Sequence, residues 1–266
     1  MKETFYSKKV SIGDAVLLAV VSDLHNKPCD DVIESLYAQK PDFILINGDL
    51  LQASSSGLSI YHVNENSAQH LRNADNAMNC LRETVKIAKV IFSTGNHELY
   101  FDEDDIATLR KLEVVFLDDS YIGINGLIFG GLSSPYKVLA GTGDAGSSEE
   151  HKMRWNLVYD NFNFKWLEEY SKLNGVKILL SHHPEIYDTF LKNIEGLDLI
   201  LSGHAHGGQI RLFGKGLYAH GQGYFPKYTS GMYDNRLIVS CGLANTSHIP
   251  RINNPREVVY ITLSPI

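Results

Sequence analysis

Short apolar runs of strand length punctuate the chain, each bounded by turn residues. They cover residues 15–21, 43–46, 90–92, 114–117, 128–129, 176–180, 197–201 and 237–239. Several are apolar at consecutive positions, which predicts strands covered on both faces. Between the early runs the period changes. Residues 29–40 place Val32, Ile33, Leu36 and Tyr37 on one helical face, and 66–89 and 149–173 repeat apolar residues at spacings of three and four. Alternation of the two patterns predicts an α/β architecture with helices packed over a sheet. Beyond residue 205 the helical period is gone. "QIRLF", "RLIVSC" and "EVVYITL" read as short strands, and "YDNRL" as a hairpin turn. The chain thus begins as β-α units and ends as hairpins. It shows no internal repeat and no dividing linker, so 1–266 is expected to be one domain. The polar stretches 52–59 and 140–151 are expected to be surface loops or lids.

Composition narrows the class. With 266 residues, 44% hydrophobic and 21% charged, the chain can bury a substantial core without disulfides. Cys29, Cys80 and Cys241 are an odd set without a CxxC pair, and they read as reduced thiols of a cytosolic protein. The net charge is −7 with no block of Lys and Arg, which argues against a long nucleic acid as main partner. Lys8 and Lys9 precede "AVLLAVV", a run that resembles a secretory signal. Asp14 sits before it, however, and "SDLH" follows it in place of a small-residue cleavage site. No segment approaches the roughly 18 apolar residues of a membrane helix. No membrane insertion and a cytoplasmic location are the expectations.

The chemistry sits where strands end. "AVLLAVV" leads into Asp23 and His25, and "DFILIN" into Gly48 and Asp49. "KVIFST" leads into Gly95, Asn96, His97 and Glu98, "VKILLS" into His182 and His183, and "DLILS" into Gly203, His204 and His206. Ligands bind outside the carboxyl ends of strands in open α/β sheets, so neighbouring strands would bring all five clusters to one edge. Each cluster alone is unremarkable: Asp-x-His can cap a turn, Gly-Asp is a common turn, and Asn-His can be a loop pair. Five in this order point to a metal site. Mixed Asp, His and Asn ligands suit Mn, Fe or Zn better than Ca or Mg.

The order Asp-x-His, Gly-Asp, Gly-Asn-His-Glu, His-x-Pro, Gly-His-x-His resembles the calcineurin-like metallophosphoesterase superfamily. The extension "GHAHGGQIRL" with "LIVSCGLANTSHIPRINNPREV" is similar to the bacterial YkuE- and YaeI-like phosphoesterase branch. The resemblance implies two mixed β-sheets in a sandwich flanked by helices, a four-layer α/β/β/α fold. It implies two divalent metal ions, Mn²⁺ favoured over Fe or Zn. Asp23, His25 and His206 would bind one ion, Asn96, His182 and His204 the second, and Asp49 would bridge both. His97 would protonate the leaving group or stabilise the transition state. Many family members carry an Asp three residues after the bridging Asp to orient this histidine, and this chain has Gln52 there.

Two divalent ions bring +4 against −2 from Asp23 and Asp49, so the site attracts a phosphate although the protein is anionic. A shared hydroxide would attack phosphorus in line while the ions clamp the other oxygens. Gly48, Gly95 and Gly203 read equally as simple turn glycines at strand ends and as positions where a side chain would crowd the ions. The implied substrate is a small phosphoester, with a phosphodiester favoured over a monoester on the branch resemblance; a catalytically inactive metal-binding scaffold is the alternative. His183 is read as a supporting or solvated histidine. His62, His70, His151, His220 and His248 have no motif support. Glu98 reads equally as a supporting or a capping carboxylate, and Arg211, Arg251 and Arg256 as surface pairing residues. Substrate choice is assigned to loops at 52–66 and 133–152. The sequence sets no oligomeric state.

Overall fold

A computed structural model of the chain describes residues 1–52, 69–135, 164–245 and 249–266. The apolar runs become two six-stranded sheets. Early strands are β1 (Lys2–Val10), β2 (Val16–Val21), β3 (Phe43–Asn47), β4 (Lys89–Ser93) and β5 (Val115–Leu117). Next come β6 (Ser120–Ile124), β7 (Leu127–Leu132), β8 (Val176–Ser181) and β9 (Leu199–Ser202). Four two-residue strands follow: β10 (Arg211–Leu212), β11 (Lys215–Gly216), β12 (Tyr218–Ala219) and β13 (Gly223–Tyr224). The chain ends with β14 (Gly231–Tyr233), β15 (Leu237–Val239) and β16 (Glu257–Pro265). The first sheet runs β1-β16-β2-β3-β4-β5 and the second β14-β15-β9-β8-β7-β6. Strands β2 to β5 are parallel neighbours, as are β7, β8, β9 and β15.

The two sheets pack face to face. Strand alternation sends Val20, Leu45 and Ile91 inward against Phe129, Ile178, Leu180 and Leu201. The opposite face of the first sheet, Ala19, Val21, Ile44, Ile46 and Phe92, is covered by helices α1 (Asp30–Gln39), α2 (Asp75–Ile87) and α3 (Glu103–Lys111). Helix α4 (Lys165–Ser171) buries Trp166, Leu167 and Tyr170 over the outer face of the second sheet. The expected four layers are therefore present, and β3 and β8 are buried along their whole length.

Three local departures have physical causes. The helix expected over 66–89 begins only at Asp75, because side chains take the preceding amides: His70 N–H donates to Asn73 Oδ1 and Leu71 N–H to Asp105 Oδ1. Leu71–Asn73 is left as a 3₁₀ turn. Strand β1 was not signalled by an apolar run, since its polar and apolar residues alternate along a sheet edge. The "YDNRL" hairpin forms as expected, with Asp234 and Asn235 both at positive φ between the paired Tyr233 and Leu237. The loop expected at 140–151, nearly all of 52–59, and the first part of the helix expected at 149–173 lie outside the described residues. Among the described residues, no helix is long and apolar enough to cross a membrane.

Candidate metal centre

Strands β2, β3 and β4 are neighbours in one sheet and β8 and β9 in the other. Their C-terminal loops meet across the sandwich, so the edge anticipated from the sequence is shared by two sheets. Backbone bonds zip the loops together. Asp23 N–H donates to Gly48 O (3.1 Å), His25 N–H to Asp49 O (2.9 Å) and Gly203 N–H to His182 O (3.0 Å). Across the sheets, His204 N–H donates to Asp23 Oδ1 (2.9 Å) and His182 Nδ1–H to Asn47 O (2.8 Å). Asp23, His25, Asp49, His204 and His206 all sit at positive φ, between 44° and 60°. Such a conformation costs of order 1–3 kcal/mol at a non-glycine residue and persists only where surroundings enforce it. Gly48, at φ 79°, shows the crowding: a Cβ there would lie 2.5 Å from His182 Nδ1.

The side chains converge. Ligand-type atoms of Asp23, His25 and His206 lie within 4.8 Å of one another, and so do those of Asp23, Asp49 and His182. Asp49 Oδ2 is 3.1 Å from His182 Nε2, 3.7 Å from His25 Nε2 and 3.9 Å from His97 Nε2. Asp23 Oδ1 is 3.6 Å from His206 Nε2 and 3.9 Å from His182 Nε2. The His204 ring stands 5.3 Å from that of His182. Asn96 opens the turn Asn96–Glu98, beside His97, whose N–H donates to Asp49 Oδ1 (3.0 Å).

These residues fit cations. His25 Nδ1, His25 Nε2 and Asn96 Oδ1 are buried with no hydrogen-bond partner among the described residues, and buried polar atoms of this kind are ordinarily completed by an ion or a water. His182 and His206 each spend Nδ1–H on a main-chain carbonyl, Asn47 O and Ala244 O. That fixes the tautomer and turns Nε2 toward the centre, the usual support for a metal-binding imidazole.

The electrostatics agree. Burial holds the imidazoles of His25, His204 and His97 below the usual histidine range, which keeps them neutral. Burial pushes Asp49 upward, but His182 and His97 outweigh it and hold the carboxyl well below its usual range. Burial likewise opposes protonation of His182, yet Asp49 lifts it to about 10.

Other residues gain places that their sequence context did not give. Glu98 is buried and accepts three N–H groups, from Asp49 (2.9 Å), Leu51 (2.9 Å) and Gly95 (2.8 Å). It ties the loops after β3 and β4 together, and burial with the Asp49 charge raises it to about 7. His183 is buried, with Nε2 bonded to Ser134 Oγ (2.8 Å) and Nδ1 3.2 Å from Glu185 Oε1. The His220 ring stands 6.4 Å from that of His204, at the edge of the site. A two-residue strand on either side of a turn carries no local signal for that placement. Arg251 and Arg211 are not surface pairing residues: Arg251 donates to Ala244 O and Cys241 O, and Arg211 to Gly207 O. Arg256 does pair, with Asp31. Gln52 N–H donates to Gln69 Oε1. His70 bonds Asp105, while His62, His151 and His248 lie outside the described residues.

Comparison with known proteins follows the same line. The sequence profile described as calcineurin-like phosphoesterase matches residues 16–208. "Uncharacterized protein YpbG" of Bacillus subtilis is 29% identical over 98% of this chain and 85% of its own length. "Uncharacterized metallophosphoesterase Cj0846" of Campylobacter jejuni is 26% identical over 91% of this chain and 55% of its own. Among solved structures, a dimetal phosphatase from Danio rerio is 12% identical, with a TM-score of 0.49 over 86% of this chain and 88% of that one. With the profile spanning most of its length, the chain belongs to the calcineurin-like phosphoesterase family, a family of metal-dependent phosphoester hydrolases.

Proposed function

We propose that the chain holds two divalent ions, manganese favoured over iron or zinc, and hydrolyses small phosphodiesters in preference to monoesters. Asp23, His25 and His206 would hold one ion, Asn96, His182 and His204 the other, and Asp49 both. Bound there, divalent ions would supply Lewis acidity to a water and to the phosphoryl oxygens. The protein does the rest. Main-chain bonds at Asp49 and Gly203 fix the donors before substrate arrives, so little reorganisation is needed at the moment of reaction. His97, whose Nε2 lies 3.9 Å from Asp49 Oδ2 and whose imidazole is kept neutral by burial, would stabilise the charge that develops at the phosphoryl group in the transition state.

The observation that carries this reading is the position of Asp49, with one carboxylate oxygen 3.1–3.9 Å from imidazole nitrogens of three different loop residues, His25, His97 and His182. A carboxylate so placed can span two ions. The diester preference is supported by the branch resemblance of the "GHAHGGQIRL" segment. The test is turnover of bis(4-nitrophenyl) phosphate and 4-nitrophenyl phosphate by the Mn²⁺-supplemented protein. Release of nitrophenol with the diester favoured is the expected result. No turnover of either ester with Mn, Fe, Co, Ni or Zn would defeat the catalytic reading, and a monoester preference would defeat the finer one.

A further inference from the structure

Glu185 lies in the turn Pro184–Ile186, three residues beyond His182. Its side chain is only 5% exposed, yet among the described residues no lysine or arginine pairs with it. Oε1 stands 3.2 Å from His183 Nδ1 and 3.6 Å from His204 Nε2, the nitrogen proposed to face an ion. Oε2 is buried without a hydrogen-bond partner among the described residues. Such a carboxylate oxygen normally finds a donor. Gly221 packs directly on the carboxylate, and a Cβ at that glycine would collide with it. The turn carrying Gly221 also brings the His220 ring to 6.4 Å from that of His204. A third carboxylate thus lies at the side of the centre where His182, His183 and His204 gather, and none of the ligand assignments uses it.

We propose that Glu185 is a specificity-determining residue that turns the centre toward singly charged phosphodiesters and against doubly charged monoesters. This inference deepens the diester reading above and rests on it. With Glu185 counted, three carboxylates oppose the charge of two divalent ions, so the field at the phosphate is weaker than the ligand set alone would give. A monoester carries close to one more negative charge than a diester above a second pKa of about 6. At a separation of roughly 6–12 Å and an effective dielectric near 20, one added like charge corresponds to a bias of about ten- to a hundredfold.

The experiment compares two anions on the Mn²⁺-loaded protein by calorimetry at pH 8: inorganic phosphate, doubly charged, and dimethyl phosphate, singly charged. Glu185→Gln keeps the shape and removes the charge. It is expected to tighten inorganic phosphate about ten- to a hundredfold more than it tightens dimethyl phosphate, with metal content by elemental analysis unchanged. The ratio of kcat/KM for diester over monoester should fall by the same factor, and Glu185→Asp, which keeps the charge, should stay close to wild type. An equal effect on both anions, or none, overturns the proposal. Loss of an ion from Glu185→Gln also overturns it, since Glu185 would then be a ligand. If the wild type turns over neither ester, the phosphoesterase reading falls while the anion comparison still decides the role of Glu185.

Discussion

The amide of Asp49 and the amide of Gly95 both point at one carboxylate, that of Glu98. Asp49 is the residue proposed to touch both ions, and Gly95 immediately precedes Asn96, proposed to touch one. The distance between the two loops therefore depends on a side chain that itself touches neither ion. Glu98→Gln would present an NH₂ group to N–H donors and leave buried donors unmatched. Metal affinity, read by equilibrium dialysis with Mn²⁺, is expected to fall about 10–100-fold, the usual cost of disturbing a ligand's support, with the fold retained by circular dichroism. Unchanged affinity would reduce Glu98 to a structural cap. Residues differ in how legible they are from the chain alone. Asp23, His25, Asp49, Asn96, His182, His204 and His206 announce themselves because each follows an apolar run that must end at a sheet edge. Glu98 and Glu185 do not, because their roles are set by partners 49 residues away in one case and by a turn beyond His220 in the other. No local spacing encodes either contact.

At the scale of elements, helices rest on their ends as much as on their apolar faces. Asp102 caps α3, accepting from Asp105 N–H and from Arg72. Those two bonds hold its carboxyl down at about 2. A group whose folded pKa lies below the unfolded value near 3.9 stabilises fully above that value and loses its contribution as pH falls through the folded one. Asp102→Ala is expected to cost about 1 kcal/mol near neutrality. Denaturant unfolding of both proteins should show the gap narrowing as pH drops from 5 to 3. A gap that is constant over that range would contradict the capping account. The same neighbourhood explains a misread boundary. Residues 66–74 carry helical spacing, but Asp105 and Asn73 capture the amides of Leu71 and His70, and a contact from another helix outweighs local periodicity. Strand β1 hides for the opposite reason: one face rests on the core through residues such as Val10, while the rest faces outward at an edge.

The whole molecule is a device for bringing two parallel sets of strand ends together. One sheet supplies Asp23, His25, Asp49 and Asn96, and the other supplies His182, His204 and His206. The apolar layer between them, with Leu45 and Ile91 set against Ile178 and Leu201, decides how closely the two sets approach. Close-packed interiors transmit strain, so the cage is only as well formed as this layer. Helices on both outer faces leave the sandwich edge as the open face, and the cluster lies there, with Asp23, His25, Asp49 and His182 nearly inaccessible beneath it. That seven side chains from two sheets enclose a pair of cations is tested most directly by anomalous diffraction at the manganese edge, from crystals grown with excess Mn²⁺. Two peaks about 3.5–4 Å apart, with Asp49 reaching both, are the predicted result. A single peak, no peak, or Asp49 turned away from the ions would contradict it.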